Sequence, residues 1–432
     1  MRSSRDPLTY LHSLKSLGIR TDPAPLSRVL KRFHHPERDY RSVLIAGSNG
    51  KGSIAAMVSS IFVEAGFKTG LYTSPHLMDY RERIRVNGLM ISRRDLRELI
   101  EKARRGLDEE LTYFEFTTLL AFLHFSRCGV DMAVLEAGMG GRFDATNLVT
   151  PEVCVISNVS LEHREFLGGS LAAIAREKAG IIKKNGICLT AARQKSVWSV
   201  LEDICVERGA QLYRLGRDIL IRKRGEGAFS CRGVGRKYSR IDVPLKGRHQ
   251  MENAALAVGV SEVLHASGLP VAREAVIEGL RTARWEGRLE TLQESPTLLV
   301  DGAHNPAGIA TLRRALARDF SYRRLILVFG VLRDKDYRAM LKKMEPAAHR
   351  LILTRPRSER AVPPRELRET VLKDADHVMV VEDPREALRE AFRLAGKKDL
   401  ICVAGSLYLV GEIKKVFSRM SGMETARLKK RQ

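Results

Sequence analysis

The stretch VLIAGSNGKGSIAAMVSSIF, residues 43–62, constrains the fold more than any other part of the chain. Four apolar residues run into a glycine-rich turn, and an apolar segment with helical spacing follows, ending at Gly66. Strand, glycine loop and helix open a parallel α/β unit. Such a turn points backbone N–H groups and a helix N-terminus at an anion, and a lysine adds a point charge. The common phosphate-loop pattern is G-x-x-x-x-G-K-[ST]. Here Ile45 stands where that pattern has its first glycine, and Gly52 separates Lys51 from Ser53. A plain turn with a chance lysine is the bland alternative. The flanking strand and helix favour a phosphate cradle of a different build, made by Asn49, Gly50, Lys51, Gly52 and Ser53.

The rest of the chain keeps this rhythm. KTGLYTS, DMAVLEAG, VCVISNVS and GICLTA read as short buried strands. SRRDLRELIEKARRG, TYFEFTTLLAFLHFSRCG, SLAAIAREKAGIIK and HQMENAALAVGVSEVLHASG read as helices. The alternation predicts an α/β fold with a mostly parallel, doubly wound sheet. Residues 211–245 predict β structure at the margin of that sheet. A second α/β pattern follows WEGRLE, with strands in TLLVDGAHN, RRLILVFGVL, HRLILT, HVMVVE and DLICVAG. At 432 residues the chain is too long for one core. The expected division is a larger domain over 1–287 and a smaller Rossmann-like domain over 288–432.

A formal net charge of +23 admits nucleic-acid binding. The basic residues are spread along the chain, however, with only short clusters such as IRKRGEG and the tail RLKKRQ, and aromatic residues are 6%. That pattern favours solvated surface and small polyanionic substrates. Six scattered cysteines include no C-x-x-C, and Cys154 and Cys402 sit in apolar runs. Buried thiols in a reducing compartment are expected, and a cysteine zinc site is not. No apolar run approaches the roughly 18 residues of a membrane helix. The start MRSSRDPLTYLHSLKSLGIR lacks the apolar core of a secretory signal. The expectation is a cytoplasmic monomer with no membrane or nucleic-acid partner.

Polar residues gather at the predicted strand ends. Glu136 closes an apolar run before a glycine-rich loop, where α/β folds hold a nucleotide-bound metal; a solvent-facing glutamate is the bland reading. Glu162 and His163 follow the next strand. Lys178 in AREKAGI reads, on physics alone, as a solvated helix lysine. In the second half Asp301, His304 and Asn305, the charged end of VFGVLRDKDY, and Gly405 and Ser406 lie at strand ends, with Arg288 at the expected linker, and fit a second face of a site.

Together GSNGKGS, TSPHL, ERIRVNG, TYFEF, LEAGMGGRFDATN, SNVSLEH, AREKAGI, HQMENAALA, WEGRLE, DGAHNP, VFGVLRDKD and GSLYLVGE resemble, in order, the Mur ligase superfamily of ATP-dependent amide ligases. TSPHL, TYFEF and GGRFDATN are similar in particular to its folylpolyglutamate synthase/dihydrofolate synthase branch, whose loop has the form G-T-N-G-K-G-[ST]. The resemblance implies that Asn49 and Gly50 to Ser53 hold the ATP phosphates, with Lys51 the principal charge. It makes Ser74, Glu136 and His163 ligands of Mg²⁺, as one ion or two, with K⁺ as a further cation. It makes Lys178 a carbamylated residue, its cation turned into a metal-binding or bridging carboxylate. Asn253, Arg288 and Asp301 match nucleotide contacts, with His304 beside them. Phe114 and Glu115, with Phe143, Asp144 and Ala145, match the pterin pocket. Lys51, His163 and Lys178 are the expected catalytic groups.

Three departures from the branch's pattern stand out: Glu162 in place of Asp, VLEAG in place of E-V-G, and SNVS in place of T-N-I-G or T-S-I-A. The activity implied is transfer of a phosphoryl group from ATP to the carboxylate of dihydropteroate or of a folate's terminal glutamate, then attack by L-glutamate. The expected division of work puts phosphates and pterin on the first domain and glutamate and nucleotide contacts on the second, with domain closure excluding water. Two alternatives stay open: a ligase of the same superfamily acting on another acid, and a nucleic-acid-stimulated NTPase.

Overall fold

The computed structural model describes residues 6–429 except Glu226, Lys373 and Asp374, and gives the backbone only for Ala375 and 421–429. The first five residues and the last three of the basic tail RLKKRQ lie outside the described residues, as does Glu226 of IRKRGEG. The chain divides into two compact units. The first comprises Met1–Pro75, Arg81–Pro244 and His249–Arg284; the second comprises His76–Tyr80, Leu245–Arg248 and Trp285–Gln432. No helix among the described residues is long and apolar enough to cross a membrane.

The first unit is built on an eight-stranded sheet. Its strands are β1 (Arg41–Ala46), β2 (Thr69–Tyr72), β3 (Ile84–Val86), β4 (Leu89–Met90), β5 (Met132–Glu136), β6 (Val153–Ile156), β7 (Ile187–Thr190) and β8 (Gln211–Arg214), in the order β4-β3-β2-β5-β1-β6-β7-β8. From β2 to β8 all pairings are parallel, while β3 and β4 add an antiparallel margin. Every residue of β1 after Arg41 is buried, as a parallel strand covered on both faces requires. The chain moves to opposite sides of β1 through β5 and β6, so the crevice at the carboxyl ends of these three strands is the topological switch point.

Residues 211–245 are only partly at the sheet margin. β8 joins the sheet, but β9 (Leu220–Lys223), β10 (Ala228–Arg232) and β11 (Lys237–Asp242) form a separate antiparallel sheet. Their tight connections favour pairing with each other over crossover to a parallel edge.

The second unit has a six-stranded sheet of β12 (Glu290–Glu294), β13 (Thr297–Val300), β14 (Leu325–Phe329), β15 (Arg350–Leu353), β16 (Val378–Val380) and β17 (Leu400–Ala404), in the order β12-β13-β17-β14-β15-β16. Only β12 runs antiparallel. Separate apolar clusters cover its two faces, one around Leu327, Leu351 and Cys402, the other around Val328, Ile352 and Val403. Its longest segment begins at Trp285, where Gly302 N–H donates to Gly287 O at 2.8 Å and Leu289 N–H donates to Asp301 Oδ2 at 2.9 Å. These bonds tie WEGRLE to β13.

Candidate active site

The glycine-rich loop sits at the switch point. β1 ends at Ala46, and the helix Lys51–Glu64 starts after Gly50, whose φ of 87° is a left-handed conformation that glycine tolerates best. A Cβ at Gly50 would also come within 2.7 Å of Asn253 Oδ1. The first N–H groups of a helix have no intrahelical acceptor, so this end is built for an anion. Lys51 Nζ folds back to Gly47 O at 3.0 Å, over the loop itself.

The helix Arg248–Ala266 backs the same helix start. Asn253 Nδ2 donates to Gln250 Oε1 at 2.9 Å, and Gln250 Nε2 donates to Ser53 Oγ at 3.3 Å. Because Ser53 Oγ accepts from Gln250, its own O–H is directed elsewhere and is oriented to donate. That hydroxyl can donate to a phosphate oxygen.

Glu136 ends β5, directly beside β1, where it pairs with Ile45. The bland reading of a solvent-facing side chain fails, since Glu136 is only 5% exposed. Its Oε2 accepts the backbone N–H of Ser74 at 3.0 Å, which sets the Ser74 residue next to the carboxylate on the neighbouring strand end. Among the described residues no group of three or more His, Cys, Asp or Glu side chains could hold a metal by itself. Ser74 and Glu136 are hard oxygen donors of the kind Mg²⁺ or Mn²⁺ takes when a nucleotide supplies most of its ligands.

His163 precedes the one-turn helix Arg164–Leu167, with a left-handed φ of 45°. For a residue with a Cβ that conformation is costly and recurs at functional sites. Beside it in sequence, Glu162 reaches Lys178, Oε1 to Nζ 2.9 Å. Lys178 is 1% exposed, so it is not the solvated helix lysine that the sequence alone indicates. The helix Leu171–Ala179 turns this residue inward, which helical spacing of a mixed-polarity segment cannot reveal. Burial opposes charge on both partners. For Glu162 the cations Lys178 and Lys51 outweigh it and hold the carboxyl at about 2. For Lys178 burial prevails despite Glu162, with Lys51 adding repulsion, so its pKa is lowered.

The loop after β5 is held rigidly against the end of that helix. A Cβ at Gly141 would meet Lys178 O at 2.6 Å, and Arg142 N–H donates to Glu177 O at 2.8 Å. Asp144 is buried; it accepts from Met139 N–H at 2.9 Å, Thr146 N–H at 3.0 Å and Thr146 Oγ1 at 2.6 Å. Burial pushes its carboxyl up while these hydrogen bonds act in the opposite direction. Both oxygens of Asp144 are therefore engaged in shaping the loop. Ala145 follows it and is buried, whereas Phe143 is 40% exposed beneath the Arg142 guanidinium.

Phe114 packs on Gly138, where a Cβ would approach its ring to 2.5 Å. Glu115 has a structural occupation. It is the third helical residue of Tyr113–Cys128 and closes a capping box with Thr112, accepting from Thr112 N–H and Oγ1, each at 2.8 Å. Arg20 Nη1 lies 3.3 Å from the same oxygen.

In the second unit Asp301 directly follows β13 and is buried. Its oxygens accept from Leu289 N–H and Ala303 N–H, both at 2.9 Å, and burial pushes its carboxyl up against the pull of Arg288. Arg288 lies between Gly287, φ 69°, and Leu289, φ 45°. Its Nη1 occupies the space in which Gly302 would otherwise carry a side chain. His304 Nδ1 stands 2.7 Å from Gly302 O; the carbonyl accepts, so Nδ1 carries the proton. Asn305 caps the helix Pro306–Asp319.

Sequence reasoning missed Gln250, Ser157, Asn158 and Ser160, which hydrogen-bond residues 48–53. SNVS entered as the end of a strand, as part of the motif SNVSLEH and as a departure from a pattern; the strand ends at Ile156, and nothing local marks the rest as a loop support.

A model of the Mur ligase middle domain matches residues 45–261, and one of the Mur ligase, glutamate ligase domain matches residues 287–407. Fold and loop together thus define an enzyme of the ATP-dependent Mur ligase class. The dihydrofolate synthase/folylpolyglutamate synthase of Bacillus subtilis (strain 168) is 33% identical over 425 residues, 95% of this chain and 98% of that protein. The chain belongs to the dihydrofolate synthase/folylpolyglutamate synthase family. The E. coli FolC structure in complex with DHPP and ADP superposes with a TM-score of 0.88 at 29% identity, covering 97% of this chain and 99% of that one. The bifunctional folylpolyglutamate synthase/dihydrofolate synthase of Yersinia pestis CO92, complexed with AMPPNP and Mn ion, superposes at 0.86 and 29% identity, covering 96% and 98%.

Proposed function

We propose that this enzyme joins L-glutamate to dihydropteroate, to the γ-carboxylate of a tetrahydrofolate, or to both, at the expense of ATP. The observation that carries the reading is the convergence of Lys51, the Gly50–Ser53 helix start and the Ser74–Glu136 pair at one switch point. Phosphoryl transfer needs these parts: fixed donors, a lysine, and oxygen ligands for a metal.

In this reading the γ-phosphoryl group moves from ATP to the substrate carboxylate, giving ADP and an acyl phosphate. The amine of glutamate attacks the acyl carbon, and the tetrahedral intermediate expels phosphate to leave the amide, with the ammonium's extra proton released. Lys51 and the N–H groups of Gly50 to Ser53 offset the repulsion between triphosphate and carboxylate. The bound divalent metal, which we take to be Mg²⁺, would neutralise phosphate charge from Ser74 and Glu136, with His163 as a further ligand. We assign Asn253 in the first unit, and Arg288, Asp301 and His304 in the second, to the nucleotide. Phe114, Phe143 and Ala145 would face the pterin, in a pocket that Asp144 and Glu115 shape. Lys178 is the carbamylation candidate: as a carbamate it would be an anion beside Glu162, which calls for a cation between them; Mg²⁺ or K⁺ would serve. The reading takes the protein as a cytoplasmic monomer, and its free, mostly buried cysteines suit a reducing compartment.

The test is ADP release with dihydropteroate and with tetrahydrofolate, each with and without L-glutamate. The expected result is release that requires both the folate-type acid and glutamate. Release unaffected by omitting glutamate, or stimulated by DNA or RNA instead, would overturn the reading.

A further inference from the structure

The segment Ser157–Ser160, just after β6, clasps the back of the phosphate loop. Asn158 Oδ1 accepts from Asn49 N–H at 3.0 Å, and Asn158 Nδ2 donates to Asn49 O at 2.9 Å. One side-chain amide thus engages both backbone polar groups of one loop residue. Ser157 Oγ donates to the same Asn49 carbonyl at 2.6 Å. Ser48 N–H donates to Asn158 O at 2.9 Å, and Ser160 N–H donates to Ser48 Oγ at 2.9 Å. Gly47, at φ 139°, has no room for a Cβ because Ser157 Oγ fills that space.

These bonds fix which way the loop faces. The N–H groups of Ser48 and Asn49 point into the protein, so an anion is met by the donors from Gly50 onward. Two glycines at positive φ, Gly47 and Gly50, leave such a loop many conformations when nothing holds it. Ordering a residue costs about 1–2 kcal/mol, and a loop ordered during folding does not incur that cost again when ligand binds.

We infer that Asn158 is a positioning residue for nucleotide binding: its amide locks the Asn49 peptide and so aims the Gly50–Ser53 N–H groups at the phosphates. This rests on reading that loop as the ATP cradle. Asn158 does not touch the reacting atoms, so its effect falls on nucleotide affinity and not on the chemical step.

The experiment uses the full-length enzyme and the variants Asn158→Ala, Asn158→Asp and Lys51→Ala. ADP affinity is measured by calorimetry, KM for ATP and kcat by ADP release, and loop order by amide hydrogen exchange over residues 47–53. Asn158→Ala should weaken ADP binding and raise KM for ATP by about tenfold, the scale of one or two lost hydrogen bonds. Its kcat should stay within about threefold. Exchange at Ser48 and Asn49 should quicken while β1 keeps its protection, and saturating ADP should restore the loop. Asn158→Asp keeps the acceptor for Asn49 N–H but loses the donor to Asn49 O, and should be impaired at least as much. Should Asn158→Ala not fold, Ser157→Ala, which removes one bond to the same carbonyl, carries the test with a smaller effect. Unchanged ADP affinity and loop exchange would overturn the proposal, as would faster exchange spread uniformly over the first unit. If Lys51→Ala binds ADP as wild type does, the cradle reading itself fails; if Lys51→Ala loses affinity and Asn158→Ala does not, only the positioning role fails.

Discussion

Lys178 Nζ stands 2.9 Å from Glu162 Oε1 with the lysine almost fully buried. Removing one partner of such a pair leaves the other charge without compensation. Glu162→Gln should lower stability by on the order of 3 kcal/mol at neutral pH. The carboxyl has a folded value of about 2, below its unfolded value of about 4.3, so its contribution is complete above that unfolded value and fades as pH falls toward 2. Urea unfolding at a series of pH values should show wild type and Glu162→Gln converging on acidification; a constant gap would count against the pair.

The same lysine carries the carbamylation proposal. Lys178→Ala should lose ligase activity and recover part of it with a short carboxylic acid in the assay. Full activity of the untreated variant would refute the role.

Lys51→Ala should lower folate- and glutamate-dependent ADP release by about 100-fold or more, since a fixed cation at the transferring phosphoryl group is removed. Its unfolding midpoint should be nearly unchanged, because the side chain donates to the Gly47 carbonyl within its own loop, and its attraction for Glu162 is offset by its repulsion of Lys178. Normal release from a folded variant would sink the assignment.

Gly50→Ala meets two penalties at once, a φ of 87° and an approach to Asn253 Oδ1. The backbone alone costs roughly 1–2 kcal/mol. Calorimetric melting should show that loss, and KM for ATP should rise as the helix start shifts. Adding Asn253→Ala should relieve the contact but not the backbone strain.

Thr112→Ala removes half of the capping box on Tyr113–Cys128 and should cost about 1 kcal/mol. Denaturant titration checks this. An unchanged midpoint would mean that Glu115 holds the helix start without Thr112.

Much of this architecture follows from local pattern. Apolar runs ending in glycine or acid mark the strands, and a strand, a glycine loop and a helix in succession can pack only as a parallel unit. Position at a strand end also foretold that Glu136 would lie at the switch point. The separate sheet of β9–β11 was less legible, because short alternating runs do not say which strand they pair with.

What the amino-acid sequence determined by itself was the kind of fold, the glycine loop between strand and helix, and the family. What only the tertiary structure decided was which polar groups face one another. Asn158 lies 109 residues from the Asn49 peptide it grips, Gln250 lies 197 residues from Ser53, and Lys178 turns inward to Glu162 from a helix with no strongly apolar face. Periodicity reports which residues share a face. It does not report what that face meets, because hydrogen bonds and ion pairs depend on distances that only the folded chain sets.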